Sequence, residues 1–227
     1  VAHDVAKNPR VVDSSNNPDN TPNLLITFGT GQYLTDSDLT STQQQTFYGV
    51  WDHGADSLAR SDLLQQNADE SSEPDLRFPS DNSIDYTGNN PAHQGWYMNL
   101  PVSGERVVTK AAIRDDYVFF NTTIPDDDPC SYGGDGWLMG VKLGNGGRPD
   151  VDSPVIDTQG DDALDDNDVQ TINGTDMAAG GTKFGKGLPT ASAFLGENQY
   201  TGGTDSTKPE KNKVPPVFNE KTGRMSW

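Results

Sequence analysis

The chain has 227 residues, with 28 Asp but only 6 Glu against 16 Lys plus Arg, and a formal net charge of −18. That balance excludes an ordinary nucleic-acid binder, which needs a basic stripe to release counterions, and makes an anionic membrane surface an equally poor partner. Hydrophobic residues are 32% of the chain, with 24 Gly and 15 Pro, and no run of about 18 apolar residues exists to span a bilayer.

The length suits one domain, or one and a half. The Asp excess, with 17 Asn, favours turns and short strands over helices, because these short side chains bond to nearby backbone. Asp oxygens are also the usual ligands of calcium; the alternative reading is a heavily solvated surface.

Residues 1–22 read as an irregular lead-in, with the turn-rich Asn16-Asn17-Pro18-Asp19-Asn20. The opening Val1-Ala2-His3-Asp4 lacks the basic and apolar regions of a signal peptide, which leaves a cytosolic protein or a mature or cut form. Asn23 to Phe28 reads as a buried strand, turned by Gly29-Thr30-Gly31. Thr46 to Asp52 is a second strand, rich in β-formers. Leu58 to Gln65 is ambiguous between a strand and one helical turn, and Asn67 to Pro74 is a polar loop. Further strands are expected over Gly95–Leu100, Glu105–Thr109, Asp116–Asn121 and Gly136–Leu143.

Strand after strand at short spacing, with Gly or Asp turns between, is the signature of an all-β sandwich, barrel or propeller. From about Gly144 the composition shifts to Gly, an Asp cluster and the basic stretch Lys208-Pro209-Glu210-Lys211-Asn212-Lys213, with few core formers. The expected organisation is a lead-in at 1–22, β blades over 23–148, and a calcium-loop and loop-rich C-terminal extension over 149–227. A flexible tail is the alternative for 196–213.

Among the constellations that carry chemistry, the strongest is the twelve-residue run Asp157 to Asp168. Aligned to a calcium loop, Asp157 falls at position 1, Gln159 at 3 and Asp161 at 5. Ala163 offers its carbonyl at 7, Asp165 stands at 9, and Asp168 closes the loop at 12. Two departures weaken the match: Asp162 stands where Gly normally makes the sharp turn, and position 3 is Gln. Asp162 must therefore take a left-handed backbone, which Asp tolerates better than most residues, or leave the loop irregular. A weak site is expected, with a dissociation constant of roughly 10⁻⁴–10⁻³ M.

The other candidates are weaker. His3, His53 and His93 have no ligand spacing, and Gly29-Thr30-Gly31 lacks the Lys-Ser/Thr of a phosphate loop. Gly133-Gly134-Asp135-Gly136 reads as a tight turn, and Asp126-Asp127-Asp128 as a solvated one. Asn121-Thr122-Thr123 and Asn173-Gly174-Thr175 fit the glycosylation pattern at chance frequency. Cys130 is the one cysteine. It has either a partner outside this chain or the role of a buried structural thiol.

The strand sequences themselves are distinctive. Phe28-Gly29-Thr30-Gly31-Gln32-Tyr33-Leu34 with Ser37-Asp38-Leu39, and Gln45-Thr46-Phe47-Tyr48-Gly49-Val50-Trp51-Asp52, resemble consecutive segments of the PilY-type tip-associated adhesins of type IV pili. Arg60-Ser61-Asp62-Leu63, Gly95-Trp96-Tyr97-Met98-Asn99-Leu100-Pro101 and Ser103-Gly104-Glu105-Arg106-Val107-Val108 match in order. So do Pro129-Cys130-Ser131-Tyr132-Gly133-Gly134-Asp135-Gly136-Trp137 and the closing Gly223-Arg224-Met225-Ser226-Trp227.

The resemblance implies a fragment of a long secreted protein whose variable N-terminal region often resembles a von Willebrand factor A domain. This chain would be the later part of the modified quinoprotein-like β-propeller that follows. It implies an all-β fold: a partial, open propeller of about two to three blades with a loop-rich C-terminal extension. It also implies calcium at the positions of 157–168 that match the family loop.

Three functions follow as expectations. The first is a non-enzymatic, calcium-binding adhesion and assembly module, extracellular at the pilus tip or outer cell surface. It would be held on minor pilins, facing a host or abiotic surface, and completed by the remaining propeller segment or a second chain. The second is a fragment of a quinoprotein-type enzyme, and the third a generic secreted calcium-binding scaffold.

Overall fold

The structure is a computed structural model that describes residues 3–10, 23–54, 57–71, 73–87, 91–128 and 133–217. Short runs rich in β-forming residues build its two main sheets. The first contains β1 (Asp4–Lys7), β2 (Leu24–Gly29), β3 (Thr46–Asp52) and β4 (Leu64–Asn67). After the short β5 (Leu76–Arg77) comes β6 (Gly95–Asn99), which enters the first sheet between β3 and β4 to give the order β1-β2-β3-β6-β4. Only the β4–β6 pair is parallel. The second sheet collects β5 with β7 (Ala112–Arg114), β8 (Tyr117–Pro125) and β9 (Gly134–Lys142).

Six shorter strands follow. β10 (Val169–Ile172) and β11 (Thr175–Ala178) form a hairpin closed by Asn173-Gly174. Both turn residues have positive φ, 51° and 81°, as a two-residue hairpin turn of this hand requires. β12 (Gly181–Lys183) then completes the second sheet in the order β5-β12-β9-β8-β7. β13 (Ala193–Leu195), β14 (Asn198–Thr201) and β15 (Glu210–Lys213) form a three-stranded sheet.

The two five-stranded sheets face each other across one core. Leu25, Phe47, Trp96 and Met98 from the first meet Val118, Phe120, Trp137, Met139 and Val141 from the second. The Phe47 and Phe120 rings stack across the interface with centroids 3.8 Å apart and planes 7° apart. Trp96 donates its indole N–H to the Leu143 carbonyl at 2.9 Å. Its ring lies against Gly49 and Gly146, where any Cβ would overlap it.

The paired edges are joined by isolated bonds rather than ladders. Ile113 N–H donates to Asp4 Oδ2 at 3.1 Å, and Ser80 N–H donates to the Asn67 carbonyl at 3.1 Å. The fold is therefore all-β with open sheets, as expected.

The outer face of the second sheet is also covered. Phe119 packs with Val155, Ile156 and Val214, and with Phe194 of the three-stranded sheet. Asn121 Nδ2 donates to the Thr190 carbonyl at 2.6 Å and to Ser192 Oγ at 2.9 Å. The side chain of Asn121, which heads one of the two tripeptides that fit the glycosylation pattern, is thus buried in a sheet interface.

Several expectations change. The 1–22 lead-in contains β1, a strand of only four residues, too short to register as a periodic run. The Leu58–Gln65 stretch splits into a 3₁₀ turn at Arg60–Asp62 and β4. Instead of a strand, Glu105–Thr109 makes a single β-bridge, Arg106 to Thr123, because it crosses between the sheets. The compositional division at 148/149 runs through the second sheet, since β12 lies between β5 and β9. The 196–213 stretch includes β14 and β15, whose three- and four-residue neighbours give no periodic signal. Cys130 and the closing 223–227 lie outside the described residues.

The crossing segment buries two charges. Glu105, 0% exposed, receives Arg77 Nη1 at 2.6 Å and Nη2 at 2.9 Å. It also accepts from Thr122 Oγ1 at 2.6 Å and Val102 N–H at 3.2 Å. The Arg77 guanidinium stands 3.9 Å from the centre of the Trp137 ring. Arg106 spends its donors on backbone: Nε on Gly104, Nη1 on Gln32 and Asp38, and Nη2 on Ser41 carbonyls, at 2.7–3.0 Å. The loop it grips carries a single α-helical turn, α1 (Asp36–Leu39). There the Asp38 carboxylate accepts from Leu34 N–H, Gln32 Nε2 and Thr35 N–H at 2.8–3.0 Å. These bonds, the Leu34 amide foremost, lower its pKa to about 2.

Two outcomes follow. Arg77→Met or Glu105→Leu alone leaves a buried charge unpaired and should lower the unfolding free energy by about 3–5 kcal/mol. The double variant should recover at least half of that loss in urea unfolding, and a double variant as unstable as the sum of the singles would show the pair to be uncoupled. For Asp38, the depressed folded pKa means its stabilisation is present above the ordinary carboxylate range and is lost as pH falls toward about 2. The stability difference between wild type and Asp38→Asn should therefore be full at pH 5 and shrink toward pH 2; a pH-independent difference would contradict this.

Candidate functional site

The 157–168 loop enters from Val155 and Ile156, both buried against Phe119, so its position is fixed by the second core cluster. Its carboxylates act first on its own backbone. Asp157 Oδ1 accepts from Gly160 N–H at 2.5 Å and Asp161 N–H at 3.3 Å, and Oδ2 from Asp162 N–H at 2.9 Å. Asp161 Oδ1 takes Ala163 N–H at 3.0 Å, and Asp165 Oδ1 takes Asn167 N–H at 2.8 Å. Asp168, 1% exposed, closes the loop. Its Oδ1 accepts from Thr158 N–H at 2.6 Å and Thr158 Oγ1 at 3.0 Å, and its Oδ2 from Asp165 N–H at 3.1 Å. Gln159 Nε2 reaches the Asn167 carbonyl at 3.4 Å.

Of the two outcomes open to Asp162, a left-handed backbone or an irregular loop, the first is present: its φ is 65°. Position 1 is thus tied to positions 4 to 6, and position 12 to position 2. The carboxylates are not drawn to a common point: among the described residues no three His, Cys, Asp or Glu side chains gather closely enough to hold a metal ion. The strongest cationic contact comes from the protein itself. Lys211 Nζ on β15 lies 2.6 Å from Asp162 Oδ1. This bond lowers the Asp162 pKa and raises that of Lys211.

A second surface was not singled out from the sequence. The outer face of the first sheet carries Val5, 43% exposed, and Leu24, 39% exposed, beside the half-buried Ile26, Phe28, Tyr48, Val50 and Tyr97. These positions neighbour one another across four strands by register. Phe28 stacks on Tyr48 at 5.2 Å, and Tyr48 lies 6.2 Å from Tyr97. The Arg60 guanidinium caps the row, 4.2 Å above the Tyr97 ring, and hydrogen-bonds Tyr48 Oη at 3.1 Å and Asn99 Oδ1. The signal was present in the outward positions of β2, β3 and β6, where Ile26, Phe28, Tyr48, Val50 and Tyr97 stand in place of a wholly polar set. Of the three histidines, His53 stacks on Trp51 at 4.2 Å and His93 Nδ1 accepts from Asp85 N–H at 3.2 Å, both structural uses.

No protein-family model matches the chain. It is 27% identical over 226 residues to the type IV pilus biogenesis factor PilY1 of Pseudomonas aeruginosa PAO1, covering 89% of this chain and 19% of that protein. It is 29% identical over 216 residues to a PilY1 homolog of Xylella fastidiosa Temecula1, covering 91% of this chain and 16% of the relative. The chain therefore spans about a fifth of the length of these curated relatives. Its fold matches the crystal structure of the Pseudomonas aeruginosa PilY1 C-terminal domain with a TM-score of 0.69 at 22% identity, over 91% of this chain and 47% of that one. The PilY-type resemblance read from the strands extends along nearly the whole chain, and the architecture is that β-propeller-like fold.

Proposed function

We propose that this PilY-type chain is a docking module of a larger type IV pilus-associated adhesin, extracellular at the pilus tip and acting by binding rather than by catalysis. The observation that carries the reading is the similarity over 89% of the chain to a protein named for pilus biogenesis. Its partners are then minor pilins and a host or abiotic surface. The outer face of the first sheet, which no described residues cover, supports a further partner, the rest of the propeller. The equivalent face of the second sheet is sealed by β13–β15 and the loops beside it, whereas among the described residues no such layer covers Val5, Leu24, Phe28 and Tyr97. Contiguous apolar surface of this kind marks an interaction site.

Calcium at 157–168 belongs to the same reading. Asp157, Gln159, Asp161, the Ala163 carbonyl, Asp165 and Asp168 would hold it, and the left-handed Asp162 supports the loop geometry. Convergence of the carboxylates would require them to give up amide bonds, and it would bring a divalent ion beside the Lys211 ammonium. Both features fit a weak site.

Two experiments test these readings. In the full-length adhesin, Ile26→Lys with Val50→Lys should abolish retention on sheared pili, while the isolated chain carrying the same changes melts like wild type. Unchanged retention, or equal destabilisation of the isolated chain, would remove the docking face. For calcium, about 5 mM ion should stabilise the chain by about 1–2 kcal/mol if the dissociation constant is about 10⁻⁴–10⁻³ M, raising Tm by a few degrees over chelator. Asp157→Ala with Asp161→Ala should erase that difference; identical melting of wild type in chelator and in calcium would leave a solvated, self-capped loop.

A further inference from the structure

A cavity of about 670 Å³ opens beside the second sheet where five segments meet: the residues after β1, the β7–β8 turn, the loop following β9, Leu164, and Pro215-Pro216 after β15. Nothing in the reading above uses it. Its wall is apolar, formed by Tyr117, Phe119, Leu164 and the two prolines, and its rim carries Asp115, Asp116, Asp150 and Asp152.

The geometry points to a docking site for an extended partner segment that places an arginine over Tyr117, between the Asp116 and Asp152 carboxylates. A planar guanidinium suits that setting, because it stacks on an aromatic face while its fork of donors meets carboxylates. The prolines, Phe119 and Leu164 supply the dry surface for the chain on either side.

The cations at the cavity have contacts of their own. Lys142 Nζ is held by Asp81 Oδ2 at 2.8 Å and Asp150 Oδ1 at 2.6 Å. Arg114 lies 4.9 Å from the Phe194 ring and donates to the Gly196 carbonyl at 2.6 Å. Arg10 packs its side chain against Gly144. Asp116 and Asp152 are exposed, and neither forms an ion pair among the described residues. The acidity is felt at the wall: burial first, then Asp150, Asp116, Asp152 and Asp81, push the Tyr117 phenol up to about 12. The net charge of −18 steers a basic partner toward the molecule, and this cavity gives it a place to seat.

The probe is a capped five-residue peptide with arginine between prolines, compared with the same peptide carrying citrulline or glutamate, titrated into the full chain at low salt. Amide resonances of Asp116, Tyr117 and Asp152 should shift saturably with the arginine peptide alone. Asp116→Asn with Asp152→Asn should weaken binding at least tenfold. Asp127→Asn with Asp205→Asn, which removes the same charge from exposed positions away from the cavity, should change it less than twofold. Equal binding of the citrulline or glutamate peptide, equal loss in the remote variant, or the absence of a saturable shift would overturn the site. Binding that emerges only after deletion of residues 218–227, which carry Lys221 and Arg224, would assign the cleft to this chain's own C-terminal segment and overturn the partner.

Discussion

A carboxylate with 0% exposure between two β-sheets dictates much of what surrounds it. Transfer of such a charge out of water is costly unless paired and hydrogen-bonded, and Glu105 is met by a bidentate guanidinium, a hydroxyl and an amide. Each partner comes from a different place: Arg77 from β5, Thr122 from β8, and Val102 from the segment's own turn. Satisfying Glu105 therefore fixes β5 against β8 with β12 and β9 between them. Its neighbour Arg106 faces the other way and pins the 32–41 loop through carbonyls. Between them the backbone bonds Thr123 on one side, and Val107 bonds the Thr30 carbonyl on the other. Two residues thus lock the second sheet to the loop that leaves β2, and the Phe47–Phe120 stack has a defined register in which to form.

The same layering explains why one face is left apolar. Each of the two large sheets has an inner face in the shared core. The second sheet is closed outside by a small sheet whose residues come from the Gly- and Asp-rich C-terminal third. The first sheet has aromatic and aliphatic residues at the equivalent outward positions and no layer from this chain among the described residues. Arg60 partly compensates by lying over Tyr97 and bonding Tyr48 and Asn99, which keeps the row of rings upright and its edge hydrated. Preordered aromatics with a capping arginine are the composition that binding interfaces concentrate.

Long strands were legible in the sequence and short ones were not. β3 has the bounds its sequence predicts, and β2, β6, β8 and β9 lie within a few residues of theirs, because each is a run of five or more residues rich in β-forming side chains. β5 and β12, of two and three residues, exist because β12 pairs with the edge of β9 and β5 with β12; no local pattern announces them. Asn173-Gly174 was a turn signal available in the sequence, but the four-residue strands it joins are half polar and too short to show a pattern. At the loop, the spacing of Asp157 to Asp168 singled out Asp162 as the place of a left-handed turn or an irregular backbone, and the left-handed turn is the one present. The spacing did not reveal Lys211, 49 residues away, because that contact depends on how the third sheet docks.

The Asp-to-Glu imbalance takes on a structural meaning beyond solvation and ion binding. Asp38, Asp62, Asp69, Asp85, Asp157, Asp161, Asp165 and Asp168 all accept backbone N–H groups within nine residues of themselves in sequence. A Glu carboxylate, one methylene further out, does not close these tight rings as readily. In a chain with so few core-forming residues, long connections have little apolar surface to hold them, and short acidic side chains hold them instead by ordering the backbone locally. The result is acidic loops that keep a defined shape while presenting negative charge outward. That charge is concentrated along the 157–168 loop, where the residues that order the connection are also those that set its surface charge.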